Sequence, residues 1–435
     1  MKHCICIGFD GKQDSTLSRK SGVCRTIKEE HYVLVCYPSA TYIDHVMPDS
    51  SKASDVAKEV LSIVRSTDSE TTLLAVVCDG TVNNTGKRNG VICKIEEGVG
   101  RALQWLICLL HTNELPFRKY VSMVEGGFTT GPSTSTGVIT SVLNFDPTDL
   151  PIVNFLPIAG RVSDVSEEVK KDLSTDQMYL LRACLAVQQG ITDDESRQFL
   201  KNSVPGNLNH ARWLTKANRI LRLYMSQVNC SQALYKVARF IVNVYAPSWF
   251  NIKQHSSCFD GAKNFFHLMK LCSDLGEEDW KTVKSVLHNN AYFAHPENIL
   301  LAGVADDDES IRKVAIEKII TARACTTHRD LRAFDNVSFS LNNRASSYMD
   351  MIFWESTIVT PPPLLSNVFN DDLQHFSSQS LRGILCHSQQ VKRAIQDVST
   401  TTCKVFGHHS CHGMALQCKK SRNEIPPVTS KSDFL

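Results

Sequence analysis

The chain has 435 residues, 42% of them hydrophobic and 21% charged, with a formal net charge of +2. This is the composition of a soluble globular protein, and its charge balance removes any bulk electrostatic argument for nucleic acid, so a basic surface must come from local patches. No apolar run reaches the roughly 18 residues of a membrane span, and the opening MKHCICIGFD meets a charge too early for a secretory signal.

The sixteen cysteines are scattered through apolar segments such as CICIG, LVCYP, LICLLH and RACLAV. They read as reduced core thiols of an intracellular protein. The length predicts two folded parts and a tail.

In chain order, residues 4–9 (CICIGF) read as a strand ending at Asp10. Residues 31–37 and 41–47 read as strands around a turn at Pro38 and Ser39. Residues 53–66 carry Val56, Val60, Ile63 and Val64 at helical spacing, with a cap at Ser54. Residues 72–78 (TLLAVVC) form a β-type run into Asp79. Residues 90–111 read as one helix with Val99, Leu103, Leu106 and Leu110 on its apolar side. A Gly/Ser/Thr loop follows at 126–137, the pattern turns almost wholly helical from about 165 to 325, and the chain becomes polar and irregular after about 365.

Asp10 and Asp79 share a setting, since each follows an apolar β-like run and precedes glycine. Asp-Gly is a common turn dipeptide, so each aspartate is read equally as a turn residue. In a sheet ordered strand, strand, strand, helix, strand, however, the first and fourth strands can lie side by side and bring the two carboxylates together. Close carboxylates stay ionised only with compensation, which a divalent cation supplies. Completed by a third acid, such a pair is the minimum for two-metal phosphoryl transfer. A haloacid dehalogenase reading of CDGT fails because Val77 stands where the nucleophilic aspartate belongs. A sugar-kinase or actin-like ATPase would turn straight into a hairpin, whereas a helix-forming segment follows here.

From residue 5 to about 325 the chain resembles the catalytic region of hAT-superfamily (hobo/Activator/Tam3) DNA transposases or a related transposon-derived protein. The resemblance rests on Asp10 in IGFDGKQDSTL and on Asp79 with Asn83 or Asn84 in CDGTVNNTG. Cys108, His111, Asn113 and Leu115 in CLLHTNELP and the Arg212–Trp213 pair in NHARWLTKANRIL complete it. It implies an α/β fold, an RNase H-like mixed-sheet core interrupted by an all-helical insertion domain. The implied layout is a first core part over 1–160, the helical insertion over 161–290 and a returning core segment with helices over 291–365; by its own polar composition 366–435 reads as a disordered Cys/His/Lys-containing tail. It further implies a DDE-type, metal-dependent nuclease or strand-transfer activity on DNA phosphodiesters, with DNA as partner, a homo-oligomeric assembly, no small-molecule substrate and nuclear residence. The faint basic signal KKSR at 419–422 agrees with that compartment.

The catalytic and metal set implied is Asp10, Asp79 and a glutamate after the insertion, holding Mg²⁺ or Mn²⁺, with His111 approaching the scissile phosphate or the second aspartate. Glu297, following Pro296 at a helix start, is the first candidate for the third acid, then Glu355 and Glu317. Arg212, Lys216, Arg219 and Arg222 recur at spacings of four and three, a stripe that reads either as a solvated face or, with Trp213 stacking on a base, as a DNA-tracking surface. The tail offers Cys403, His408, His409, Cys411, His412 and Cys418, at spacings that match no standard zinc module. The same residues leave open a catalytically dead, host-adopted scaffold that binds DNA or protein.

Overall fold

The computed structural model describes residues 4–20, 23–127, 137, 139, 149–190, 194–203, 205, 213–325 and 345–386. Five strands form one mixed sheet in the order β3-β2-β1-β4-β5. β1 (Cys6–Lys20) and β2 (Val23–Tyr37) pair antiparallel, with Asp10 opposite Val33, and β2 pairs antiparallel with β3 (Thr41–Val46). β4 (Ala75–Cys78) runs parallel to β1, and β5 (Gln104–Ile107) runs parallel to β4. A hydrogen bond of 2.9 Å between His31 Nδ1 and His45 Nε2 ties the edge strand β3 to β2.

Helix α1 (Ala53–Ser66) forms where the valine spacing predicts it, burying Val56, Val60 and Val64. Lys52, rather than Ser54, is its capping residue. Residues 90–111 are not the single helix expected. They divide into α3 (Val91–Val99), β5 and the start of α4 (Leu109–Glu125), while a single turn, α2 (Val82–Thr85), precedes them. Gly100 ends α3 in the left-handed conformation at φ 69°. Leu103 to Ile107 are then buried without exception, as in a strand covered on both faces, and such a run carries no period that separates it from a helix. β1 also runs far past its expected end, so Asp10 lies within a strand and not at its terminus.

The helical half begins at α4, whose Phe117 and Tyr120 stack on Phe240 from the helix Gln232–Phe240. That helix passes through a π-helical turn, Ile241–Tyr245, into the helix Ala246–Gln254. Pro247 near the start of the last piece has no N–H and its ring crowds the carbonyl four residues back, and the widened turn relieves that conflict. Trp213, Tyr245 and Phe117 meet in the same aromatic layer, and one hydrophobic core runs from the sheet into the helices. The sheet is thus built from residues 6–107; the helix Pro296–Val304 meets it through Gln104, and the helix Glu309–Ala324 packs against that helix.

The stretch 366–386, assigned to a disordered tail from its polarity, is packed. Leu373, Ile384 and Cys386 are buried, Leu385 bridges Ser257, and Leu109 donates its N–H to the Cys386 carbonyl. Arg323 fixes the approach by donating to the carbonyls of Leu365 and Val368. Its few apolar residues are spaced without period, so composition masks their burial. Ten of the described cysteines are buried and all described cysteines are free thiols. Among the described residues no helix is long and apolar enough to cross a membrane. The proposed zinc ligands from Cys403 to Cys418 lie outside the described residues.

Candidate functional site

The parallel register pairs Cys6 with Ala75, Ile7 with Val76 and Gly8 with Val77. Carried forward by two residues, it sets Asp10 beside Asp79. Side chains alternate along a strand, so Cys6, Gly8 and Asp10 share one face with Ala75, Val77 and Asp79. Adjacent strands lie about 4.8 Å apart, so the two carboxylates start from neighbouring backbone positions. Their charges act on common neighbours. Burial first, and then Glu30, Asp79 and Asp10, push the Tyr32 phenol up to about 12. The Cys78 thiol is raised by burial, then by Asp79, Cys108 and Asp10.

Asp79 is the turn residue that its sequence context suggests. Its Oδ1 accepts the Thr81 N–H at 3.2 Å, the Thr81 hydroxyl at 2.9 Å and the Asn84 amide at 2.6 Å. This is a turn built around one carboxylate oxygen, and Oδ2 takes none of the three bonds. Of the two asparagines singled out, Asn84 therefore holds the aspartate, while Asn83 donates to the Ser51 carbonyl at 3.0 Å. The turn is anchored from the far end of the chain as well, because the Tyr292 hydroxyl meets Thr85 Oγ1 at 2.9 Å. Tyr292 gave no signal in the sequence.

His111 joins this group. A side chain at position 80 would come within 2.9 Å of His111 Cδ2, so the imidazole lies directly against Gly80, the residue after Asp79. Only glycine leaves that ring its place. Cys108, buried at the end of β5, stands level with Asp79 in the register.

Glu297 is placed elsewhere. It is 1% exposed, and its Oε1 accepts the Gln104 amide at 3.2 Å; the same amide donates to Asn298 Oδ1 at 2.9 Å. Its other oxygen lies 3.6 Å from His295 Nδ1. Gln104 opens β5 opposite Ala75, four residues and about 13 Å of strand before the level of Asp79. Among the described residues no three His, Cys, Asp or Glu side chains group closely enough to hold one metal ion. Glu297 is a buried carboxylate compensated by the Gln104 amide and the start of its helix, features a sequence alone cannot separate from a metal ligand. Glu355 and Glu317 are both exposed.

The basic stripe turns inward. Arg212 lies outside the described residues, but Trp213, Lys216, Arg219 and Arg222 are 5%, 0%, 6% and 4% exposed. They sit on the helix Trp213–Met225, which buries twelve of its thirteen residues. Arg222 donates to the carbonyls of Leu150 and Leu200, and Lys216 Nζ lies 4.8 Å over the Trp213 ring. Burial lowers Lys216 to about 8 against the opposing pull of Glu125. Long cationic side chains bury their stems readily, so spacing alone gave no warning that their heads are enclosed too. This stripe is not an open DNA-tracking face.

No protein-family model, curated protein or solved structure matches the chain.

Proposed function

We propose that the chain is a transposase-derived protein with an RNase H-like core whose Asp10–Asp79 pair acts on DNA phosphodiesters with a divalent cation. Three antiparallel strands, a helix and two parallel strands in the order β3-β2-β1-β4-β5 are what that core requires, and they support the reading. The observation that carries it is the register that sets Asp10 beside Asp79 on one face.

The donor set fits the group. Two neighbouring carboxylates, one of them with an oxygen outside its turn's hydrogen bonds, suit Mg²⁺ or Mn²⁺, which keep several waters and take one or two protein carboxylates alongside phosphate oxygens. Bound there, the cation would supply charge to a phosphate oxygen as bond order shifts. The protein's own part is positional. Thr81 and Asn84 fix the Asp79 carboxylate, and Gly80 lets His111 stand close enough to donate to a phosphate oxygen. With Glu297 held at Gln104, the grouped residues fit one cation and not the three-acid pair of ions.

Incubating the protein with supercoiled DNA and Mn²⁺ beside Asp79→Asn tests the reading. Nicking by the parent alone is expected, and equal nicking by both would rule the site out. A second reading, a catalytically dead scaffold, draws on the same placement of Glu297. It requires indifference to the cation as well as no nicking.

A further inference from the structure

Tyr37 is the last residue of β2 and is fully buried. Its hydroxyl is a buried polar atom with no hydrogen-bond partner among the described residues. Such an orphan is destabilising, and a core position offers phenylalanine as a better-suited occupant. The direction of the side chain suggests what the oxygen is for.

Tyr37 pairs with Cys6 on β1, and its ring runs along the strand over Gly8, where an added Cβ would stand only 2.6 Å from ring atom Cε2. Cys6, Gly8 and Asp10 are successive residues of one face, about 6.6 Å apart. A phenol that starts level with Cys6 and lies across Gly8 therefore ends toward Asp10. Burial first, and then Cys6, Cys108, Asp10 and Cys386, raise this phenol, in keeping with that direction. Gly8 is the accommodation for this ring.

We propose that Tyr37 is a positioning residue of the aspartate pair: its hydroxyl donates to the core-facing oxygen of the Asp10 carboxylate in the cation-bound form. The inference rests on the cation reading above and adds to it the group that orients the ligand. Carboxylates that bind metal are themselves held by outer donors, and loss of such a donor typically weakens metal binding about 10- to 100-fold. In the cation-free form the hydroxyl waits unpaired, so its removal there should cost nothing.

The test is calorimetric titration of Mn²⁺ into the full chain, its Tyr37→Phe variant and Asp79→Asn, with the metal-free melting temperature of each. Tyr37→Phe is expected to bind Mn²⁺ at least about tenfold more weakly while melting at or above the parent temperature. Parent-like Mn²⁺ affinity in Tyr37→Phe would overturn the inference and leave the cation site standing. A metal-free melting temperature several degrees lower would also overturn it, showing that the hydroxyl serves the fold. Absence of Mn²⁺ binding in the parent, or equal binding by Asp79→Asn, would bring down the cation reading and this inference with it. Should Tyr37→Phe fail to fold, 3-fluorotyrosine at position 37 gives the same answer. Its ¹⁹F resonance should move during Mg²⁺ titration of the parent and stay fixed in Asp79→Asn; a resonance indifferent in both would sink the proposal.

Discussion

Two charged groups of this molecule look alike in the sequence and differ in the fold. At one end of the sheet, Asp10 and Asp79 stand on neighbouring strands, partly open to solvent and ordered by a turn. On the helix Trp213–Met225, Lys216, Arg219 and Arg222 are enclosed by the core, with Arg222 tied to backbone carbonyls. The two carboxylates stay partly exposed. Charges spent on backbone partners inside a helical layer are structural, whatever their spacing suggests.

The sharpest way to break this contrast is on the cationic side. Arg222→Met leaves the carbonyls of Leu150 and Leu200 without their donor, and should lower stability by about 3 kcal/mol in urea denaturation. A loss of DNA retention with unchanged stability would instead return that residue to a binding surface.

Lys216→Met should act in the opposite sense. With the folded amine near 8 and the unfolded one near 10.5, the unfolded chain holds more protons between those values, so stability should rise as pH climbs through that window. Removing the amine should flatten that rise and add up to about 3 kcal/mol at pH 7. A sloped profile retained in the variant would contradict the burial assigned to Lys216.

Glu297→Gln sharpens the acidic side. It should cost about 1–2 kcal/mol through its hydrogen bond to Gln104, yet leave Mn²⁺ affinity unchanged. A large loss of affinity would make Glu297 a ligand after all.

At neutral pH the smallest effect belongs to the sheet edge. Burial and the neighbouring His31 lower His45 to about 4, with Asp44 opposing, while an unfolded histidine titrates near 6.5. Stability should therefore fall as pH drops from about 6.5 toward 4. His45→Gln should shrink that fall in acid titrations followed by circular dichroism, and an unaltered acid limb would point to other groups.

Legibility in the sequence followed local physics. The helix 53–66 and the run into Asp79 were readable because amphipathic period and flanking turn residues agreed. The pairing of Asp10 with Asp79 was readable only as an option, since strand adjacency is a long-range fact. β5 was hidden because a strand covered on both faces has no alternation to show. The fate of Glu297 and of the stripe was hidden for a related reason: burial of a charged residue depends on partners such as Gln104 and Leu200, 193 residues away in the first case and 22 in the second. Tyr292 carried no local sign, because it meets the Asp79 turn only through the tertiary fold.

The central claim is that the oxygens of Asp10 and Asp79 meet at one cation. Melting the protein across a Mn²⁺ series, beside Asp10→Asn and Asp79→Asn, addresses it most directly. The melting temperature should climb with Mn²⁺ in the parent and be indifferent to it in both variants. A parent that ignores the ion, or a variant that responds as the parent does, would contradict it.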